Sequence, residues 1–385
     1  MSVRMQSSQT IDAVCARLDV LVADLAAKRR IPHAVLRIER GDGSLRGAGE
    51  ARPGEPMLAD TPFHFASVAK LYTATAVLQL WERGGLDLEA PLAGYLPHDL
   101  VTGLHRCDGV DHTDAVTVRH LLSHTSGLPD YFLAAPQGET SYADRVAEGD
   151  FAYTIQDVVA RVRQLPAHFP PQDPAAARQR ARYSDTNFQL LGAIVEVVTG
   201  RAFHKVVETQ ILEPLGLKDT WVASHPRTES ASAPAALWSG DTVLDIPQAM
   251  ASLGPDGGLV GTAADAIAFL RALLAGEPFE RADTVGLMQA RWNRFGLPRD
   301  RSSMMAPGWP IEYGLGILRF RPPWFLAPGR ARPTLLGHTG ASGSWLFHCP
   351  EHDVYLAGTV DQTTAAAVPY RISPRLVGIV EMRQR

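Results

Sequence analysis

The stretch SVAKLYTATAVLQLWER (67–83) decides the fold of this chain of 385 residues. Its apolar side chains lie on most faces of a helix, and the pattern stops at Gly84-Gly85, a pair typical of a helix C terminus. A helix that is apolar nearly all round has to be buried. We therefore predict a central helix over this stretch, with the rest of the chain packed around it.

Segments with strand character lie near both chain ends. PHAVLRIER (32–40) and SLRGAGEA (44–51) flank Gly41-Asp42-Gly43, a turn sequence typical of a hairpin. The C-terminal third returns to strand patterns and closes with an amphipathic helix; its strand segments are 312–320, 334–349 and 353–361. Apolar residues three and four apart in 11–25 predict an N-terminal helix that packs on a sheet. The predicted fold class is α+β, with one antiparallel sheet formed from both chain ends and flanked by helices.

The middle of the chain has mainly helical patterns. DTNFQLLGAIVEVVTGR (185–201) starts with a capping Asp and ends near Gly200, which signals a helix, and GGLVGTAADAIAFLRALLAG (257–276) predicts another. We expect a single domain over residues 1–385, with an inserted, mainly helical subdomain at 86–235 and a functional site between that subdomain and the sheet.

Composition excludes several classes of protein. With 45% hydrophobic and 20% charged residues and a net charge of −4, the chain can bury a large core and has no electrostatic footprint for nucleic acid or an anionic membrane. Cys15, Cys107 and Cys349 are odd in number and form no CxxC pair, which argues against a disulfide framework and a cysteine-rich zinc site. No signal-like apolar region and no run of 18 apolar residues occurs, so we expect a soluble, cytoplasmic protein of open oligomeric state.

Ser67 and Lys70 stand three residues apart on the first turn of the central helix, so their side chains are neighbours. The chain has only four lysines against 33 arginines, so a lysine kept within an apolar helix stands out. Arginine cannot lose its proton at a workable pH, whereas a desolvated lysine can have a lowered pKa and accept a proton from serine. The alternative is a solvated or snorkelling lysine.

Two further groups have a chemical and a structural interpretation. Tyr183 lies on a loop before the helix at 185–201, where its phenol could relay a proton; it could equally be a half-buried aromatic beside a capping Asp185. Gly337-His338-Thr339-Gly340 lies in a strand, where glycines let a ligand approach the backbone and N–H groups could hold an oxyanion. A bulge with an edge histidine is the alternative.

Five motifs in this order resemble those of the serine β-lactamase and penicillin-binding-protein superfamily. The similarity is to its branch of class C β-lactamases, D-Ala-D-Ala carboxypeptidases, D-aminopeptidases and family VIII carboxylesterases. It spans about residues 30 to 362, and the joint match outweighs the structural alternatives. The motifs are SVAK (67–70), LLSHTSGL (121–128), YSD (183–185) with TNFQLLG, GGLVGTAADAIAFL (257–270) and GHTG (337–340).

The resemblance implies a Ser67 nucleophile, with Lys70 and Tyr183 sharing the general base and acid roles. It also implies an oxyanion hole from the N–H groups of Ser67 and Ala341, no metal, and no organic cofactor. The residues it assigns to substrate binding are Asp185, His338, Thr339 and Gly340.

Two residues depart from the family pattern. His338 replaces the lysine that β-lactamases of this branch usually carry, and a neutral histidine attracts a substrate carboxylate less well. Asp185 replaces the more frequent asparagine; an ionised Asp185 could hold Lys70 charged, in which case Tyr183, as a phenolate, would be the better base. The departure at His338 argues against a dedicated β-lactamase. The departure at Asp185, together with the missing signal-like region, favours a small cytosolic ester or amide over peptidoglycan.

We therefore predict a serine hydrolase that acts on small esters. The alternatives are a D-amino-acid peptidase or amidase, a DD-carboxypeptidase, a weak β-lactamase, an acyltransferase, and a non-catalytic relative that binds a ligand.

Three weaker signals remain. His120 and His124 have the spacing of a two-histidine metal face, but no third ligand is evident. Ser342, in an incomplete G-x-S-x-G, is expected to be structural. The segments 304–316 and 321–329, rich in Pro, Met and aromatic residues, fit either the apolar wall of an acyl site or a cover for the core.

Overall fold

A computed structural model describes residues 2–28, 31–51, 57–226, 232–326 and 332–381. Its α-helices are α1 (Ser2–Ala26), α2 (Ala69–Glu82), α3 (His98–Val101), α4 (Val118–Leu122), α5 (Tyr142–Glu148), α6 (Ile155–Val162), α7 (Asp185–Thr199), α8 (Phe203–Val207), α9 (Pro247–Gly257), α10 (Ala263–Ala275), α11 (Thr284–Gln289), α12 (Arg301–Met305) and α13 (Val368–Glu381). Its strands are β1 (Ala34–Arg40), β2 (Arg46–Ala51), β3 (Phe63–His64), β4 (Arg106–Cys107), β5 (Val110–Asp111), β6 (Thr220–Val222), β7 (Leu237–Ser239), β8 (Thr242–Leu244), β9 (Leu259–Gly261), β10 (Asn293–Arg294), β11 (Glu312–Tyr313), β12 (Leu318–Phe320), β13 (Leu335–Thr339), β14 (Trp345–Cys349) and β15 (Val354–Thr359).

The main sheet joins the two ends of the chain, which confirms the predicted fold class. Its eight strands run in the order β10-β11-β12-β13-β14-β15-β1-β2, and every pair of neighbours is antiparallel. The N-terminal hairpin pairs with the last strand, so that Leu36 lies opposite both Gly358 and Gly49. Helix α1 packs on β2 as expected, and Gly49 lets it approach so closely that a Cβ there would be 3.0 Å from Leu18.

A second, three-stranded sheet was not anticipated. It has the order β3-β9-β6, and its middle strand, β9, falls within the segment 257–276 that we expected to be wholly helical. The prediction was wrong for its first residues: the helix begins only at Ala263, where the Thr262 side chain accepts a hydrogen bond from the Asp265 N–H. Leu259-Val260-Gly261 is apolar and buried between two neighbouring strands, a setting that periodicity cannot separate from a buried helix.

Helix α2 lies in the middle of the molecule, as predicted. Its residues from Ala69 to Leu80 are all buried, and it contacts both α7 and α9. The ring of Tyr72 stacks on Phe269 of α10, with 3.6 Å between centroids. Surrounded in this way, the first turn of α2 is a rigid platform for a functional side chain.

Residues 86–235 contain α3 to α8 together with the short strands β4 to β6. The division into one domain with a subdomain over this range stays a prediction. None of the helices in the described part of the chain combines the length and the apolar character needed to cross a membrane.

Candidate active site

Ser67 lies in a tight turn that leads into α2. Strand β3 ends at His64, the Phe65 N–H donates to the carbonyl of Leu259, and a 3-10 turn (Ala66–Val68) precedes the helix. Ala66 has a φ of 45°, which is left-handed backbone that a residue with a Cβ adopts only under tertiary constraint. The turn leaves Ser67 half-buried at the wall of the cavity described below.

Lys70 is fully buried directly beneath Ser67. Its Nζ donates to Ser67 Oγ at 3.2 Å and to the backbone carbonyl of Asp256 at 2.6 Å, and it forms an ion pair with Asp185 Oδ1 at 2.6 Å. Three oxygens therefore surround the Lys70 amine, two as hydrogen-bond acceptors and one as its partner in an ion pair. The side chains of Ser67 and Lys70 are thus neighbours, as their spacing in the sequence predicts.

The pKa of Lys70 favours the second of the two possibilities considered from the sequence, a lysine that Asp185 holds charged. Burial lowers it, but the carboxylates of Asp185 and Asp256 more than offset that effect, and the pKa lies above its ordinary value. Lys70 is thus a charged ammonium in this structure. The sequence signal for a charged Lys70 was Asp185, which stands where the family usually has asparagine.

The Asp256 carbonyl is a contributor that the sequence reasoning missed. Helix α9 kinks at Gly254 and contains Pro255, so its last carbonyls are not used within the helix. The Pro255 carbonyl accepts from Thr73 at 2.6 Å, and the Asp256 carbonyl accepts from Lys70. A Gly-Pro pair at the end of an apolar helix could have signalled free carbonyls, but not the side chains that use them.

Tyr183 lies immediately before α7 and faces the same cavity. The Lys70 Nζ is 5.1 Å from its ring centroid, yet its buried hydroxyl has no hydrogen-bond partner of normal geometry among the described residues. Burial first and then the Asp185 carboxylate raise the Tyr183 pKa well above its ordinary value, against a smaller effect of the Ser67 hydroxyl. A raised pKa favours the neutral phenol at Tyr183 over the phenolate of the alternative hypothesis.

Two more buried carboxyl groups surround the Lys70–Asp185 pair. Asp130 accepts backbone N–H bonds from Phe132, Leu133 and Asp185, but burial and the neighbouring Asp185 raise its pKa to about 7. Asp256 Oδ2 accepts from the Tyr131 hydroxyl at 2.9 Å, and burial with the nearby Asp185 raises its pKa well above the ordinary value. Neither carboxyl contacts Lys70 with a hydrogen bond or ion pair.

The edge of β13 approaches the Ser67 turn closely. The Ser342 hydroxyl donates to the carbonyl of His64 and the Ser344 hydroxyl to that of Phe65, each at 2.8 Å, so Ser342 is structural as expected. Gly340 leaves no room for a side chain, because a Cβ there would be 2.4 Å from the Phe65 carbonyl oxygen.

The two predicted oxyanion donors lie on either side of this junction. Ser67 and Ala341 both line the cavity. Within the described part of the chain, neither backbone N–H has an acceptor. Two free N–H groups at one wall can bind a negatively charged oxygen.

His338 does not take the place predicted for it. It is fully buried behind the cavity wall: its Nε2 accepts from the Tyr313 hydroxyl at 3.0 Å and its Nδ1 donates to the carbonyl of Thr339 at 2.7 Å. Burial and the nearby Lys70 lower its pKa to about 3, so it is neutral. Direct substrate contact by His338 is therefore corrected to a structural contact beneath the strand, whereas Thr339 and Gly340 do line the cavity. The Thr339 hydroxyl shares a 2.7 Å hydrogen bond with Tyr370.

The cavity has a volume of about 1530 Å³ and reaches Ser67, Tyr183 and Asp185. Most of its remaining wall is apolar, with contributions from β7, α9 and the segment 304–311. Met304, Trp309 and Phe325 are 68%, 41% and 50% exposed, and the rings of Trp309 and Phe325 are nearly parallel. Residues 304–311 thus form a wall and rim of the cavity; residues 327–329 lie outside the described residues.

The two histidines with metal-like spacing have other partners. His120 Nδ1 accepts from the Thr117 N–H and Nε2 donates to the Gln172 carbonyl, which fixes the start of α4. His124 Nδ1 is 2.9 Å from Asn187 Nδ2 and is fully buried. Across the described ranges, no group of three or more His, Cys, Asp or Glu residues is placed to hold a metal ion.

Comparisons with known proteins agree with this arrangement. A family model described as Beta-lactamase matches residues 18–372. Esterase EstB of Burkholderia gladioli is 32% identical over 223 residues, which are 56% of this chain and only about half (53%) of that enzyme. Penicillin-binding protein 4 of Amycolatopsis lactamdurans is 30% identical over 83% of this chain and 77% of its own length. A solved D-stereospecific amidohydrolase from Streptomyces sp. superposes with a TM-score of 0.69 at 26% identity, covering 96% of this chain and 99% of that chain. The chain therefore belongs to the beta-lactamase family of serine hydrolases.

Proposed function

We propose that this protein is a carboxylesterase-type serine hydrolase that forms an acyl-enzyme on Ser67. The observation that carries the proposal is the cluster of Ser67, Lys70 and Tyr183 at one wall of a large, mainly apolar cavity. Nucleophile, cation and phenol are then within reach of one bound carbonyl group.

In the proposed reaction, Ser67 Oγ attacks the ester carbonyl carbon. The hydroxyl proton of Ser67 moves to Lys70. The carbonyl oxygen becomes an oxyanion, for which the Ser67 and Ala341 N–H groups are free donors. Collapse expels the alcohol, and Tyr183, a neutral phenol, can supply its proton. Once Lys70 has returned a proton to Tyr183, water attacks the acyl carbonyl carbon and loses a proton to Lys70. The bond from that carbon to Ser67 Oγ then breaks, Tyr183 gives Oγ a proton, and the carboxylic acid leaves.

The cavity supports apolar esters as substrates. Its volume of about 1530 Å³ exceeds the range of roughly 300–1,000 Å³ typical of small-molecule sites. The apolar residues that line it, such as Leu237, Ile246 and Met250, can take an acyl chain out of water. A β-lactamase of this branch would use a cation at position 338, where this chain has a buried, neutral histidine.

A D-amino-acid amidase is the second candidate. The similarity to the Streptomyces D-stereospecific amidohydrolase favours it, and so does Asp185, a carboxylate on the cavity wall that could attract an α-ammonium group. That carboxylate is already paired with Lys70, which is why the ester remains the first proposal.

A substrate panel tests the proposal. Nitrophenyl esters of acetate, butyrate and octanoate, D- and L-amino-acid anilides, and nitrocefin are compared by kcat/KM. We expect ester hydrolysis to exceed the other reactions by at least tenfold. Faster cleavage of D-anilides would replace the esterase proposal with the amidase, and faster cleavage of nitrocefin would replace it with a β-lactamase.

A further inference from the structure

We propose that Asp185 is a further catalytic residue, which accepts a proton from Lys70 while Lys70 accepts the hydroxyl proton of Ser67. The inference rests on the proposed Ser67 acyl-enzyme and deepens it. It makes the base of this enzyme a lysine–aspartate pair, rather than a neutral lysine or a tyrosinate.

Two short contacts connect Ser67, Lys70 and Asp185. Ser67 Oγ is 3.2 Å from Lys70 Nζ, and Nζ is 2.6 Å from Asp185 Oδ1. The Asp185 side chain is 13% exposed and lines the cavity, whereas Lys70 is completely buried. Two short proton steps therefore connect the nucleophile to a carboxylate.

Lys70 cannot act alone in this arrangement. As an ammonium it donates hydrogen bonds to two oxygens, is ion-paired with a third, and has no lone pair for the Ser67 proton. It can accept the Ser67 proton only as it releases one of its own. Of its three neighbours, the Asp256 carbonyl is not a base and Ser67 is the donor, which leaves the Asp185 carboxylate.

The other titratable groups around the pair are not placed to take a proton directly from Lys70. The side-chain carboxyls of Asp130 and Asp256 make their hydrogen bonds to other groups and form no hydrogen bond or ion pair with Lys70. The imidazoles of His124 and His338 are made neutral by burial and by the nearby Lys70. The hydroxyls of this environment all have raised pKa values; they belong to Tyr131, Tyr153, Tyr183 and Tyr313.

Every proton in the proposed step has a donor and an acceptor. The Ser67 Oγ–H bond breaks and Oγ bonds to the carbonyl carbon, whose π electrons move to the oxyanion. The Ser67 proton forms a new N–H bond on Lys70 as another Lys70 N–H bond breaks, and that proton becomes the Asp185 carboxyl O–H. When the oxyanion collapses, the leaving alkoxide takes a proton from Tyr183. Asp185, through Lys70, then returns its proton to the tyrosine oxygen, and no further reagent is needed.

The test is the pH dependence of Ser67 labelling by an alkyl fluorophosphonate, followed by intact mass, which measures nucleophile activation without a particular ester. In Asp185→Asn, Lys70 loses its carboxylate partner and has to be deprotonated by solvent before it can serve. We expect the acid limb of the rate profile to move up by at least one pH unit, so that labelling at pH 7 slows at least tenfold and recovers at higher pH.

Asp256→Asn is the matched control, because it replaces a carboxyl of the same cluster while keeping the backbone carbonyl that binds Lys70. The Asp256 carboxyl acts on Lys70 through its charge alone, so the acid limb of Asp256→Asn should move much less than that of Asp185→Asn, whatever its rate. An acid limb that is unchanged in Asp185→Asn, or moved equally in Asp256→Asn, overturns the relay.

A measurement on the wild type covers the case in which Asp185→Asn does not fold. Two protons move in one step, so the labelling rate in mixtures of H2O and D2O should follow a curved proton inventory, and a straight line overturns the relay. If Ser67→Ala abolishes labelling but the relay tests fail, the proposed acyl-enzyme on Ser67 still stands and only the relay is overturned. A wild type that neither labels nor cleaves any substrate overturns both.

Discussion

Gly340→Ala tests whether the close junction between β13 and the Ser67 turn positions the reacting groups. A Cβ at residue 340 would lie 2.3 Å from Ser344 Oγ, 2.4 Å from the Phe65 carbonyl oxygen and 2.9 Å from Ala66 Cβ. Ordinary contact is about 3.5 Å, so the strand and the turn have to separate by about 1 Å.

The expected loss follows from that displacement. The Ala341 N–H moves away from the position of the oxyanion, and a misplacement of about 1 Å can reduce a rate by about 10²-fold. Overpacking should also cost about 1–3 kcal/mol of the free energy of unfolding. The assays are kcat/KM for nitrophenyl butyrate and thermal unfolding.

Gly286→Ala provides the control, because a Cβ there meets no atom within 4 Å and the position lies inside α11. It should keep full activity and be slightly more stable. If Gly340→Ala retained wild-type kcat/KM, the junction would have no role in catalysis.

Three other predictions follow from the site. Tyr183→Phe should lower kcat by about 10²- to 10⁴-fold through loss of the proton donor. Tyr95→Phe, outside the cavity, is the control and should leave kcat unchanged. An equal kcat in the two variants would contradict the role of Tyr183 as proton donor. Leu237→Trp should fill part of the cavity beside its apolar wall. Wild type should prefer the octanoate ester to the butyrate ester by up to about 10²-fold in kcat/KM, since each buried methylene contributes about 0.8 kcal/mol. The variant should lose that preference while still cleaving the acetate ester. Asp130→Asn concerns stability. The folded protein holds a proton on Asp130 up to its pKa of about 7 that the unfolded chain releases near 3.8, so wild-type stability should fall with rising pH over that window. The Tm of the variant minus that of wild type should rise from pH 4 to 7 and then level off; a flat difference would refute the buried proton.

Local patterns predicted the elements that carry the site. The apolar run after Ser67, Gly200 at the end of α7 and the glycine turn at 41–43 act within a few residues, so helix α2, helix α7 and the N-terminal hairpin could be found from the sequence. Asp185 does not cap α7 as expected, because its side chain pairs with Lys70. Strand β9 could not, because a short apolar run has the same periodicity signal in a buried strand and a buried helix. Thr262, a good helix cap, was the available sign that the helix starts later.

The charge state of Lys70 could not be predicted from the sequence for a different reason. It depends on the Asp256 carbonyl, 186 positions away in the chain, and on the direct contact with Asp185. The burial of His338 likewise depends on Tyr313, which reaches it from β11. Residue type can suggest that a group titrates, but the direction of its pKa is set by partners that only the tertiary fold brings together.

Intact mass of the protein after mixing with a slowly hydrolysed acyl ester, or with a fluorophosphonate, tests the central claim most directly. We predict one covalent adduct per chain, mapped by peptide analysis to Ser67, and none in Ser67→Ala, which should also lose hydrolysis. An adduct on another residue, or undiminished turnover by Ser67→Ala, would contradict the account.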